Sequence, residues 1–242
     1  MGPVTLNEAL SGSINTVAVQ LANEIGIEKI RAIAKDFGIR STIGKGLAVA
    51  LGSSEVNLLE LTSAYSGFLS SGKKVSPIGW FDLKIRGEKG VLMSADRSEG
   101  MQVIDQNASA ALLYMLINVV ENGTGARAKI PGWELAGKTG TSQLMKDAWF
   151  IGFNSEYVCG IWMGYDDNTP LQGVTGGGLP AELWSKIIKQ LINHKTPAAL
   201  PYLTPEEFEQ YAGIQKDTNK INEENQSSRS IIKALIDTLF GN

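Results

Sequence analysis

Lys138-Thr139-Gly140-Thr141 is the segment of this sequence best suited to chemistry. It falls in a strand-like run over 135–142, where a glycine ordinarily weakens packing. A glycine is useful there when another backbone must lie against the strand, and a peptide substrate brings such a backbone. Thr139 and Thr141 offer hydroxyl donors and Lys138 a positive charge, a set that suits a substrate carboxylate. At average residue usage these four residues match by chance in roughly one chain of this length in several hundred. That outweighs the plainer reading, an edge strand that carries threonines for their β-propensity. Ser13-Ile14-Asn15 is the second segment. Ser-x-Asn is short and recurs by chance. Taken alone, Ser13 reads as a helix N-cap whose hydroxyl oxygen accepts a first-turn N–H. Capping and catalysis are compatible, because a cap also holds the serine in place.

Other chemistry is poorly supplied. Cys159 is the sole cysteine, so no intrachain disulfide can form. It lies in a strand-like run over 157–162 and reads as a small buried residue. His194 is the sole histidine and sits in a polar stretch before Pro197. A Ser-His-Asp triad would need it, and a metal site would need converging ligands that the sequence does not offer. No metal or cofactor is expected. The net charge is −3 and 19% of residues are charged, with no basic block, which excludes a nucleic-acid surface. The apolar runs fall short of the ~18 residues a membrane span needs, so no membrane contact is expected from this segment. Met1-Gly2-Pro3 leads straight into helix-like sequence, so an export or anchoring signal is expected elsewhere in the protein. Hydrophobic residues make up 43%, enough for a sizeable core.

The elements that must position these residues follow from pattern. A short helix is predicted over 5–10. Val17, Leu21 and Ile25 repeat every four residues until Gly26, and a further helix runs over 28–37 to Gly38. Ser53-Ser54 are expected to cap a helix reaching Leu69, ended by Gly72. Alternation over 80–85 and after Gly90 predicts a hairpin joined by residues 87–90. Asp105 or Asn107 starts a helix with the stripe Ala108, Ala111, Leu112, Met115, Leu116 and Val119, broken by Gly123-Thr124-Gly125. Three strands follow over 135–142, 148–154 and 157–165, the last two joined by a tight turn at Asn154-Ser155-Glu156. Gly176-Gly177-Gly178 reads as a flexible loop. The helix after it carries Leu183, Trp184, Ile187, Ile188 and Leu191. Beyond Thr196 the polar, proline-bearing composition reads as a linker. It leads to a short amphipathic end over 230–240 with Ile231, Leu235 and Leu239 on one stripe.

Ser-x-Asn followed much later by Lys-Thr-Gly-Thr resembles the second and third motifs of penicillin-binding proteins and serine β-lactamases. Further segments agree: Val4-Thr5-Leu6-Asn7-Glu8-Ala9-Leu10, Ala50-Leu51-Gly52-Ser53, Val120-Glu121-Asn122-Gly123-Thr124-Gly125, Asp147-Ala148-Trp149-Phe150-Ile151-Gly152 and Gly164-Tyr165-Asp166-Asp167-Asn168. Together they resemble class A penicillin-binding proteins, the bifunctional glycosyltransferase–transpeptidases, over about residues 3–195. The resemblance implies an α+β fold, an antiparallel sheet flanked by helices plus a helical subdomain, with the active site between them. It implies a partial transpeptidase domain over 1–195 and a polar linker and tail over 196–242. Carried over by resemblance, Lys138, Thr139, Gly140 and Thr141 line the cleft on a sheet strand. The Thr141 backbone N–H becomes one of two oxyanion donors. Ser13 relays a proton between Lys138 and the lysine of the first motif, and Asn15 holds the amide of a stem peptide or β-lactam. The implied activity is peptidoglycan crosslinking on D-Ala-D-Ala stem peptides, in the periplasm or on the outer face of the cytoplasmic membrane.

The family's first motif is Ser-x-x-Lys, whose serine forms the acyl-enzyme and whose lysine shares its helix face. That motif precedes Ser-x-Asn by dozens of residues, whereas twelve residues precede Ser13 here. The expectation is a domain truncated at its N-terminal side, inactive until joined to the missing N-terminal half. Ser70–Lys73, Ser71–Lys74 and Ser230–Lys233 match the pattern, but Gly72 interrupts the first two and the third follows Lys-Thr-Gly-Thr in the wrong chain order. A serine β-lactamase, a D,D-carboxypeptidase and a non-catalytic binding module remain alternatives. The segments at 149–152 and 166–168 favour the synthase.

Overall fold

The computed structural model describes residues 2–87 and 89–211. Its helices are α1 (Leu6–Ser11), α2 (Asn15–Ile25), α3 (Ile27–Asp36), α4 (Leu58–Leu69), α5 (Gln106–Glu121), α6 (Leu179–Leu191) and α7 (Pro205–Tyr211). The strands are β1 (Asp82–Leu83), β2 (Met93–Ser94), β3 (Ala136–Thr141), β4 (Asp147–Phe153) and β5 (Val158–Gly164). The architecture is α+β, with β3, β4 and β5 forming one antiparallel sheet in that order.

α5 is the central helix. The Asp105 side chain accepts the N–H groups of Asn107 and Ala108 at 2.8 and 3.1 Å, which starts the helix where the sequence predicts. Ala108, Ala111, Met115, Leu116 and Val119 are buried as expected, and so are Leu113 and Val120. The buried arc is wider than one stripe because α5 is packed by β3, α1 and α4 together. The sheet divides two apolar clusters. Leu135 and Phe150 join Trp184 and Ile188 of α6, while Ala136 and Phe153 join Leu113 and Leu116 of α5. This is the period-two alternation of strands: Leu135 and Ala136 are neighbours in sequence and face opposite layers.

Several expectations shift. The helix expected to start at Ser53-Ser54 starts at Leu58, capped by the Asn57 side chain, which accepts the Glu60 N–H at 2.8 Å. Residues 47–51 form a separate 3₁₀ turn that ends on Gly52 at φ 77°, a left-handed conformation that glycine adopts without strain. Among the described residues the hairpin over 80–94 pairs only Asp82 with Ser94 and Leu83 with Met93. Phe81, Leu83, Leu92 and Met93 are exposed on it, and a two-stranded ribbon without a buried face is marginal. Gly176 and Gly177 are close-packed rather than free. A Cβ on Gly176 would lie 2.4 Å from the Gly140 carbonyl oxygen and 2.3 Å from that of Trp149.

Residues 196–211, expected as linker, pack on the core. Leu200 is buried against Leu113, Leu116 and Phe153. Its N–H donates to Glu134 at 2.9 Å, and the Phe208 ring lies 5.1 Å from that of Tyr114. The polar composition concealed this, because a few well-spaced apolar residues suffice to anchor the segment. Leu200→Ala is expected to lower unfolding free energy by about 2–4 kcal/mol in chemical denaturation. A linker residue would change it negligibly. The expected amphipathic end over 230–240 lies outside the described residues.

Candidate active site

Strand alternation sets the site. Lys138 falls on the Ala136 and Phe153 side of β3, toward the α1–α2 corner, and Thr139 falls on the other side with Phe150, its register partner. β3 is one of the two edge strands, so its outer backbone is open to a ligand. Lys138 Nζ donates to Ser13 Oγ at 2.8 Å and to the Thr139 carbonyl oxygen at 3.0 Å. The first contact joins residues 125 positions apart and closes the cleft between the helical and sheet sides. Burial pushes the Lys138 ammonium down from 10.5 to about 8. Among the described residues no carboxylate pairs with it. A desolvated cation held only by neutral oxygens is poised to bind an anion.

Ser13 sits in the turn between α1 and α2 at φ 52°, a left-handed conformation that is uncommon for a non-glycine residue. The turn is pinned by the Ile14 N–H, which donates to the Ala9 carbonyl at 2.8 Å. A capping box anchors the start of α1, with Thr5 and Glu8 bonded reciprocally. Ser13 is not a helix cap. The N-cap of α2 is Ile14, which has no side-chain cap bond, and the Ser13 hydroxyl accepts from Lys138 instead. Asn15 is exposed at the first position of α2 and makes no hydrogen bond to β3.

Thr141 ends β3, and its hydroxyl oxygen accepts the Gly176 N–H at 3.0 Å. Thr139 Oγ1 lies 2.7 Å from Thr124 Oγ1. The missing side chain at Gly140 is explained first by packing, because a Cβ there would lie 3.2 Å from Trp149 Cβ. Ser13, Lys138, Thr139 and Thr141 are therefore assembled by the fold. Thr124, Gly176 and Gly177 belong to the same neighbourhood, although the sequence reading gave Thr124 only a helix break in a family-like segment and Gly176-Gly177 a flexible loop. The one available signal was glycine on both sides of Thr124, which permits a close approach of backbones.

Among the described residues, neither internal Ser-x-x-Lys pair has the serine and lysine on one helix face, because Ser70 is the C-cap of α4 and Ser71 has φ 56°. Lys73 is engaged by Glu99. Ser230 and Lys233 lie outside the described residues. Cys159 is half-buried against the α6 cluster, and burial pushes its thiol up. His194 is exposed at φ 69° in the turn after α6. Among the described residues no cluster could hold a metal ion, and no helix is long and apolar enough to cross a membrane.

The arrangement is a lysine on an edge strand, bonded to a serine from the α1–α2 turn, with threonine hydroxyls beside it on the same strand. Residues 1–189 match the penicillin binding protein transpeptidase domain. Penicillin-binding protein 1A of Aquifex aeolicus is 35% identical over 189 residues, covering 78% of this chain and 26% of that protein. The same-named protein of Rickettsia conorii is 30% identical, covering 91% of this chain and 30% of that protein. The PonA1 protein of Mycobacterium tuberculosis, solved in complex with penicillin V, shares the fold with a TM-score of 0.75 at 22% identity, over 84% of this chain and 60% of that one. The chain belongs to the penicillin-binding protein transpeptidase family, and it spans under a third of the length of these two curated relatives.

Proposed function

We propose that this chain supplies the carboxylate-binding and proton-transfer walls of a peptidoglycan D,D-transpeptidase that acts outside the cytoplasm. Lys138, Thr139 and Thr141 bind the terminal carboxylate of a D-Ala-D-Ala stem peptide, or the carboxylate of a β-lactam in its place. Gly140 lets the substrate backbone lie along β3, and the Thr141 N–H donates to the developing oxyanion. Asn15, exposed beside Ser13, holds the substrate amide. The nucleophile is the serine of a Ser-x-x-Lys motif N-terminal to this chain. That serine attacks the carbonyl of the penultimate D-Ala, its proton passes to the motif lysine, and Ser13 relays a proton to the departing D-Ala amine. The acyl-enzyme is then taken by an amine from a second stem peptide, which restores the serine. No cofactor takes part, and the chain without that serine forms no acyl-enzyme.

The observation that carries this reading is the 2.8 Å bond from Lys138 to Ser13. A hydroxyl and an ammonium in direct contact support a proton relay at Ser13 next to an anion-binding charge at Lys138. In a polypeptide joining this chain to a Ser-x-x-Lys segment, Ser13→Ala is expected to slow penicillin acylation by about 100- to 10,000-fold, the range of general acid–base contributions. Ser13 is exposed but is one of the two described acceptors of the desolvated Lys138 ammonium, so a modest fall in melting temperature is expected and the assay is run well below it. Acylation at the parent rate, measured by stopped-flow with a fluorescent penicillin, would remove Ser13 from the mechanism.

A further inference from the structure

Thr124 joins both walls of the cleft. Its N–H donates to the Ser11 carbonyl at 3.1 Å, on the helical side two residues before Ser13. Its hydroxyl oxygen lies 2.7 Å from that of Thr139 on the sheet side. Two glycines fix it there. A Cβ on Gly123 would lie 2.4 Å from the Ser11 carbonyl oxygen, and one on Gly177 would lie 2.2 Å from the Thr124 carbonyl oxygen. Backbone approaches this close leave Thr124 little room to shift.

The pair of hydroxyls has a direction once an anion binds. A carboxylate only accepts, so the Thr139 proton must go to it. Thr139 Oγ1 can then only accept from its neighbour, and the Thr124 hydroxyl is the donor within reach. The result is a chain from Thr124 through Thr139 to the carboxylate, in which each bond polarises the next. The geometry points to Thr124 as a positioning residue that aims the Thr139 hydroxyl at the substrate carboxylate. This rests on the carboxylate reading of Lys138-Thr139-Gly140-Thr141 given above.

The test titrates this chain with N-acetyl-D-Ala-D-Ala and with its C-terminal amide, which lacks the carboxylate, following the amide resonances of β3 by NMR. Thr124→Val is expected to weaken binding of the free acid about five- to tenfold and to leave the amide unchanged, as for loss of one bond to a charged network. Thr124→Ser should restore parent affinity. Thr139→Val should show the same acid-selective loss, and the double variant should lose little more, as expected of residues acting in one chain. Should Thr124→Val disturb the loop, seen as shifted β4 resonances before ligand is added, Thr124→Ala must show the same acid-selective loss. Parent affinity in Thr124→Val beside weakened binding in Thr139→Val would overturn this inference and leave the carboxylate reading standing. Equal loss for acid and amide, or failure of serine to rescue, would also overturn it. A parent chain with no preference for the acid, or a Thr139→Val variant that binds like the parent, would overturn the carboxylate reading and this inference with it.

Discussion

Lys138→Ala is expected to slow penicillin acylation by about 100- to 1,000-fold in a polypeptide that carries the nucleophile, the loss typical of removing one preorganised charge stabiliser. The ammonium lies 2.8 Å from Ser13 and has no carboxylate partner among the described residues, so its charge is available to an anion. Its pH dependence has a definite sign. Lys138 is held near 8, below its ordinary 10.5, so without a bound anion it loses the charge as pH rises through 8. Acylation at low penicillin concentration should fall through that window, and a bound anion should move the fall upward.

The same burial acts on stability with the opposite preference. Between pH 8 and 10.5 the unfolded chain binds more protons than the folded one, so stability should rise with pH across that range. Below 8 the fold carries the full cost of the desolvated charge. Lys138→Met should therefore be more stable than the parent at pH 7, by roughly 1–3 kcal/mol, with the difference closing toward pH 10.5. A variant that is both inactive and stabilised would mark Lys138 as a residue kept for binding. Denaturant curves at pH 7 and pH 10 measure this, and a destabilised Lys138→Met at pH 7 would contradict it.

Trp184→Ala is expected to give the largest loss of stability, about 3–5 kcal/mol. Trp184 is fully buried, meets the Phe150 ring edge-on at 5.6 Å and donates its indole N–H to the Gly152 carbonyl at 3.0 Å. It pins α6 to the middle strand of the sheet, next to the strand that carries Lys138. A Cβ on Gly152 would lie 2.7 Å from the indole, so the glycine and the tryptophan are a matched pair. Trp184→Phe keeps most of the apolar surface and loses the indole bond. It should cost clearly less than alanine in the same denaturation experiment.

Local pattern was enough for α5, because its cap, its apolar stripe and its terminating glycines are all near neighbours in sequence. The three long strands were legible as short strand-like runs bounded by turn residues, among them Asn154, whose side-chain oxygen accepts the N–H groups of Glu156 and Tyr157 at 3.0 and 2.8 Å. The start of α4 was misplaced because Ser53, Ser54 and Asn57 are all competent caps, and packing chose among them. The stretch over 196–211 was missed because its composition is polar, while its attachment depends on Leu200, Tyr202 and Phe208 meeting residues far away in sequence.

The sequence by itself determined the residue types at the site and the family, because Lys138-Thr139-Gly140-Thr141 and Ser13-Ile14-Asn15 are contiguous strings that need no fold to be read. It left Ser13 with two uses, a cap of α2 by local pattern and a partner of Lys138 by family resemblance, and only the packed structure gives its hydroxyl to Lys138. It could not bring Thr124 to Thr139 or Gly176 to Thr141. Those contacts join separate elements, and their short distances exist only after α5, α6 and the sheet have packed. Tertiary structure also set the charge behaviour of Lys138, because desolvation depends on what surrounds the ammonium and not on its neighbours along the chain.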